Sequence, residues 1–191
     1  MYHRGFTLVE LLVALVVAGI LAMGAMSMGS MVRDNRRSAV INEFMAAVAY
    51  ARYQALSRAT PVSICRSADQ STCATDSGNW NQGWLIFTDR QTPGAVDGPG
   101  VGVTCASDDV SCRDVILKKH EALTSGFTLV GNTNVVNRIT FSALGMGTNG
   151  TLTVCDSRGF GSGSRIYARQ IVIGTGGRYR SVTPTTTGSC T

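Results

Sequence analysis

The chain has 191 residues, 44% of them apolar, and a formal charge of +5. That is enough for one membrane anchor plus one domain with a real core. Two histidines, His3 and His120, stand far apart and no CxxC occurs, so the composition argues against a zinc site.

A short basic leader, Tyr2-His3-Arg4, precedes Gly5-Phe6-Thr7-Leu8-Val9-Glu10. From Leu11 to Val32 no residue is charged, a run of 22. As a helix it measures about 33 Å at roughly 1.5 Å per residue, which matches a hydrocarbon core of about 30 Å. Glu10, immediately ahead of the run and one turn inside the same apolar helix, is the exception. A carboxylate at the bilayer centre costs on the order of 2.5–3.5 kcal/mol, less near the interface, and it calls for a cationic partner. An ordinary secretory signal has a shorter apolar core of about 7–15 residues, although Ala25-Met26-Ser27 imitates its cleavage site. An uncleaved anchor is the other plain alternative.

Gly5-Phe6-Thr7-Leu8-Val9-Glu10 resembles the class III signal of type IV pilins and type II secretion pseudopilins. The resemblance implies cleavage between Gly5 and Phe6 by a prepilin peptidase, N-methylation of Phe6, and a role in assembly for Glu10. It divides the chain into a leader 1–5, a transmembrane half-helix 6–32, an amphipathic half-helix 33–60 and a β-rich periplasmic domain 61–191. Loss of the leader removes Arg4 and takes the formal charge to +4. The freed amine of Phe6 would neutralise Glu10 in the same or a neighbouring subunit, and such pairing favours one axial register.

The six cysteines, Cys65, Cys73, Cys105, Cys112, Cys155 and Cys190, all follow the apolar run. An even number confined to one side indicates an oxidising compartment, here a bacterial periplasm. Close spacing favours Cys65–Cys73 and Cys105–Cys112, which leaves Cys155–Cys190, although six cysteines permit 15 pairings. Arg33, Arg36 and Arg37 behind the anchor point the other way under the positive-inside rule. The cysteines and the cleavage motif overrule that bias, giving a single-pass inner-membrane protein with its bulk in the periplasm.

From Arg33 to Ala59 there is no Pro or Gly, and Val40, Ile41, Phe44, Val48, Ala51 and Ala55 form a stripe. The spacing predicts one helix from about Thr7 to Ala59, greasy and then amphipathic, stopped by Pro61. Gly19, Gly24 and Gly29 are either weak points, each costing about 1 kcal/mol against Ala, or small residues for close packing. Strands are expected at 62–65, 84–88, 115–117, 127–130, 137–141, 150–154 and 168–173. A loop covers 91–114, and the short strands suggest an antiparallel meander. The class is α+β, one long N-terminal helix packed on an antiparallel β-sheet domain.

Further along, 50–58, 62–65, Trp80 to Asp89, Ile139-Thr140-Phe141 before Gly145, and Gly177-Arg178-Tyr179-Arg180 resemble the FimT/GspH branch of minor pilins and pseudopilins. The resemblance implies a long helix on two small antiparallel sheets, and other fibre subunits as partners. The Cys-rich stretch near 91–114 and the Thr-rich tail after Val182 depart from that pattern.

Gly159-Phe160-Gly161-Ser162-Gly163 lacks a following Lys and a strand-loop-helix setting, so it reads as a flexible loop rather than a phosphate loop. His120 beside Lys118, Lys119 and Glu121 reads as part of a solvated charged face. No catalytic set or cofactor site can be argued, and no enzyme is expected. The C-terminal segment is different. From Asp156 onward Arg158, Arg165, Arg169, Arg178 and Arg180 stand against Asp156 alone, a net +4. Arginine forks onto phosphate oxygens, and in a strand Arg178 and Arg180 would share a side with Tyr179 opposite. Gly174, Gly176 and Gly177 would let backbone amides approach a phosphate. A solvated edge strand accounts for the same charges. Gly177-Arg178-Tyr179-Arg180 is similar to the DNA-contacting motif of FimT-type pilins in naturally transformable bacteria. The resemblance implies DNA as a partner through Gly177, Arg178, Arg180, Arg165 and Arg169. Two functions follow: a minor pilin acting in pilus assembly and DNA uptake, or a purely structural secretion pseudopilin.

Overall fold

The computed structural model describes residues 7–76, 78–90, 94–96, 113–163, 165–185 and 188–190, without the side chains of 23–28. Two compact units are present, 1–38 and 39–191.

A single helix, α1 (Leu8–Arg58), runs through both. Thr7 caps its start: the Glu10 amide donates to Thr7 Oγ1 at 3.3 Å. Thr7-x-x-Glu10 is therefore a capping-box sequence, and Glu10 lies in the first turn, where the helix dipole favours a carboxylate. In the first unit Leu8, Leu12, Leu15, Ile20 and Leu21 are exposed. Among the described residues no helix is long and apolar enough to cross a membrane; the side chains of 23–28, inside the charge-free run, lie outside that description.

The helix ends with Ala59 in the left-handed region at φ 47°. Thr60 N–H donates to Ala55 O at 3.3 Å and Ala59 N–H to Leu56 O at 3.4 Å. This pair of bonds is a Schellman cap, with Ala where Gly is usual and Pro61 just beyond it.

In the second unit the stripe Val40, Ile41, Phe44, Ala47, Val48, Ala51 and Ala55 is buried against two four-stranded antiparallel sheets. The first contains β1 (Val62–Arg66), β2 (Trp84–Thr88), β3 (Ile116–His120) and β5 (Arg138–Phe141), in the order β3-β2-β1-β5. The second contains β4 (Phe127–Gly131), β6 (Gly150–Asp156), β9 (Arg169–Ile173) and β10 (Tyr179–Val182), in the order β10-β9-β6-β4. A hairpin of β7 (Gly161–Ser162) and β8 (Arg165–Ile166) lies between β6 and β9 in the chain.

The arrangement is not a simple meander. β1 to β3 follow one another, but β4 leaves for the second sheet, and β5 returns to pair with β1 before β6 joins β4. Period-2 patterns fix which face of a strand is buried but not which strand it pairs with.

The central strands of sheet one, β1 and β2, are buried on both faces. Val62, Ile64, Trp84 and Ile86 face the main core with Phe44, whose ring meets Trp80 and Trp84 edge-on at 5.3 and 5.1 Å. Cys65, Leu85, Phe87 and Val96 form a second cluster on the far side. There the Cys65–Cys73 disulfide ties down the loop that follows β1. Cys155 and Cys190 form a second disulfide, packed with Phe160 and Ala168. Cys105 and Cys112 lie outside the described residues.

Two sequence expectations change. The Gly159–Gly163 stretch is an ordered turn and hairpin: Phe160 is buried, and Tyr167 N–H donates to Phe160 O at 3.0 Å. The third strand begins at Ile116 and extends to His120, because it is an edge strand whose lysines carry no apolar pattern.

Candidate nucleic-acid interface

The β9–β10 hairpin is built from its turn. Gly177 N–H donates to Gly174 O at 2.8 Å and Gly174 N–H to Arg178 O at 2.9 Å. A three-residue connection of this kind, a turn followed by a left-handed residue, favours Gly at its last position. Gly177 occupies that position at φ 71°, and a Cβ there would stand 2.1 Å from Gly145 O. Arg52 on α1 holds the same place from below. Its Nε donates to Gly145 O at 3.1 Å and its Nη2 to Gly176 O at 3.2 Å. One guanidinium therefore binds helix, 142–146 turn and hairpin tip together.

Register then sets the faces. Tyr179 pairs with Ile173 and Ser181 with Ile171, and both isoleucines point into the main core. Tyr179 is half-buried against that core. Arg180, opposite Val172, is directed to the other face and is exposed, as is Arg178. Among the described residues neither arginine has a hydrogen-bond or ion-pair partner for its side chain.

Most other arginines in the unit have structural work. Arg66 is fully buried and bonds Asn137 Oδ1 at 2.8 Å and Asp76 Oδ1 at 3.1 Å. Arg158 pairs with Asp156 at 2.6 Å and lies over the Tyr167 ring at 4.3 Å.

The remaining sequence candidates are not gathered with Arg178 and Arg180. Arg169 alternates with Ile171 and Ile173, which puts it on the inner side of the sheet, and its guanidinium bonds Thr183 Oγ1. Arg165 is exposed on β8, at the opposite end of β9 from the hairpin tip. Gly5 and Phe6 lie outside the described residues.

His120 does not belong to a solvated face. Its ring stacks on Trp84 with centroids 3.7 Å apart and planes at 4°. Nε2 lies 2.6 Å from Glu43 Oε1 and Nδ1 2.7 Å from Glu121 O. The side chain thereby links α1 to the edge strand β3. Sequence spacing gives no sign of this, because Glu43 sits off the apolar stripe, 77 positions away. Among the described residues no three potential metal ligands come together.

The family model described as type II transport protein GspH matches residues 40–177. That of the prokaryotic N-terminal methylation motif matches residues 1–26. No curated protein matches significantly. Among solved structures, the type IV minor pilin FimU of Pseudomonas aeruginosa is similar in two crystal forms. One has 22% identity and TM-score 0.53, covering 82% of this chain and 96% of the other. The second has 22% identity and TM-score 0.50, with 81% and 99% covered. The minor pseudopilin EpsH from the type 2 secretion system of Vibrio cholerae resembles the chain more loosely, at 9% identity and TM-score 0.44, with 79% and 99% covered. At 22% identity the likeness to FimU establishes the fold alone, that of a type IV pilin.

Proposed function

The chain belongs to the GspH family of type II transport proteins, the minor pilins and pseudopilins, and from that premise we propose a minor fibre subunit that binds DNA through its β9–β10 hairpin. The precursor is cut between Gly5 and Phe6 and methylated on Phe6, in keeping with the N-terminal methylation motif over 1–26. The charge-free run 11–32 anchors the protein in the inner membrane before assembly and holds it in the fibre afterwards. Glu10 meets the Phe6 amine of the same or a neighbouring subunit and sets the axial register. The protein is a building element and not an enzyme.

DNA binding rests on one observation: Arg180, on the outer side of the edge strand β10, and Arg178, just ahead of that strand, are both exposed, with no partner for either among the described residues. Two uncommitted guanidinium groups on a rigid hairpin suit phosphate oxygens. The purely structural secretion pseudopilin is the second reading, favoured by the description of the family itself. Full-length protein in non-ionic detergent, titrated against labelled duplex DNA at low salt, separates the two. Binding that is lost in Arg178→Ala/Arg180→Ala supports the first. Absence of binding by the unaltered protein leaves the second.

A further inference from the structure

The outer face of the second sheet carries more than its two arginines. We infer that it is a track for the sugar–phosphate backbone of duplex DNA, leading from Arg178, just ahead of β10, and Arg180 on it, across β9 to Asn149, Thr151 and Asn132. The inference rests on the DNA-binding reading of the hairpin and extends it.

Register supplies the alignment. Arg180 lies opposite Val172, and Val172 opposite Thr151. Asn132 continues that row: its N–H donates to Thr151 O at 2.9 Å, while Thr151 N–H donates to Asn132 Oδ1 at 3.2 Å. Nearer the hairpin tip, Gly174 bonds to Arg178, and Asn149 immediately precedes Gly150, which sits opposite Ile173. Two steps between neighbouring strands bring Arg180 and Thr151 to about 10 Å apart. Gly174 adds no side chain between Arg178 and Asn149, so the surface there is low.

The chemistry along this line is uniform. Asn132 and Asn149 are exposed and Thr151 is half-buried. The bond from the Thr151 amide fixes Asn132 Oδ1 toward the protein, which turns its NH₂ outward as a donor. Among the described residues the Asn149 side chain and the Thr151 hydroxyl make no hydrogen bond. Arg, Asn and Thr side chains are the usual donors to phosphate oxygens, and no Asp or Glu stands in either row. The next row ends the track, since Gln170, opposite Thr153, turns its Nε2 to Thr153 Oγ1. Charge complementarity at the Arg edge therefore names the occupant, and the neutral donors extend its footprint.

Neutral donors add hydrogen bonds without releasing counterions, so they raise affinity and leave the salt dependence alone. The test uses the full chain in non-ionic detergent with a short labelled duplex, over a range of salt. Thr151→Val and Asn149→Ala should each weaken binding by about 2- to 12-fold at unchanged log–log salt slope. Asn132→Asp keeps the acceptor for the Thr151 amide but presents a negative charge, and should weaken binding further. Ser125→Asp adds the same charge in the turn ahead of β4, at the other end of that strand from Asn132, and should bind as the unaltered protein does. Full affinity in Thr151→Val and Asn149→Ala, alongside loss in the double arginine variant, overturns the track and keeps the hairpin. No binding by the unaltered protein overturns both.

Discussion

Replacing Gly177 by Ala tests how the arginine-bearing hairpin is held. At φ 71° the new side chain occupies a left-handed conformation, which costs roughly 1–2 kcal/mol for an L-residue. Its Cβ would also stand 2.1 Å from Gly145 O and 2.8 Å from Arg52 Nε. Neither neighbour yields freely, because Gly145 is main chain and Arg52 is itself bonded to Gly145 O and Gly176 O. Overpacking of this kind adds about 1–3 kcal/mol, for a total of about 2–5 kcal/mol. Gly176, one residue earlier, is the internal control: a Cβ there meets nothing within 4 Å. Gly176→Ala should stay within about 0.5 kcal/mol of the parent. Urea unfolding followed through the buried Trp80 and Trp84 reads both variants. Equal midpoints for Gly177→Ala and Gly176→Ala would refute the packing argument. A large loss in Gly177→Ala alone would support it.

Three further outcomes are expected. Intact-mass measurement of protein from the membrane should show loss of residues 1–5 and gain of one methyl group, and an unprocessed N-terminus would end the fibre-subunit reading. Ala59→Gly should stabilise the domain by about 1 kcal/mol in the same urea assay, because Ala59 holds a left-handed cap at φ 47°; a destabilised variant would contradict the Schellman assignment. The Asp69 carboxyl is held far below the usual range by the Thr72 hydroxyl, then by the Thr72 and Ser71 amides. Its folded pKa is depressed, so the stability it contributes is present above the unfolded value of about 3.9 and is lost as pH falls through the folded one. The NMR carboxyl shift of Asp69 should thus remain that of a carboxylate at about pH 3, and protonation near the ordinary value would show the turn to be open.

The long helix was the most legible element, since a stripe at three-to-four spacing, freedom from Pro and Gly from Arg33 to Ala59, and Pro61 all agree on one answer. Thr7 and Glu10 also carried a local signal, the capping box, beside the cleavage motif that shares those residues. Alternation was enough to separate Arg178 and Arg180 from Tyr179. Placing Arg169 on the inner side required the pairing of β9 with β6 and β10, which no local pattern encodes. The same limit hid the exchange of β4 and β5 between sheets. Arg52 looked like an ordinary polar position of an amphipathic helix. Its bonds reach 93 and 124 residues along the chain, and only the folded chain brings those carbonyls to it. His120 was concealed for the opposite reason: three charged neighbours suggested water, while the fold supplied Trp84 and Glu43.

The central claim is that Arg178 and Arg180 contact DNA phosphates, and the salt dependence of binding tests it most directly. Each phosphate neutralised on duplex DNA contributes about 0.9 to the log–log slope. If the two arginines engage two phosphates, Arg178→Ala/Arg180→Ala should flatten the slope by about 1.8. Affinity should fall alike on every duplex sequence, because backbone contacts carry no base information. The unaltered protein should bind in the range of about 10⁻⁴–10⁻⁶ M, with circular dichroism establishing that both proteins are folded. Equal slopes and equal affinities for the two would contradict the account and leave β10 a solvated edge strand.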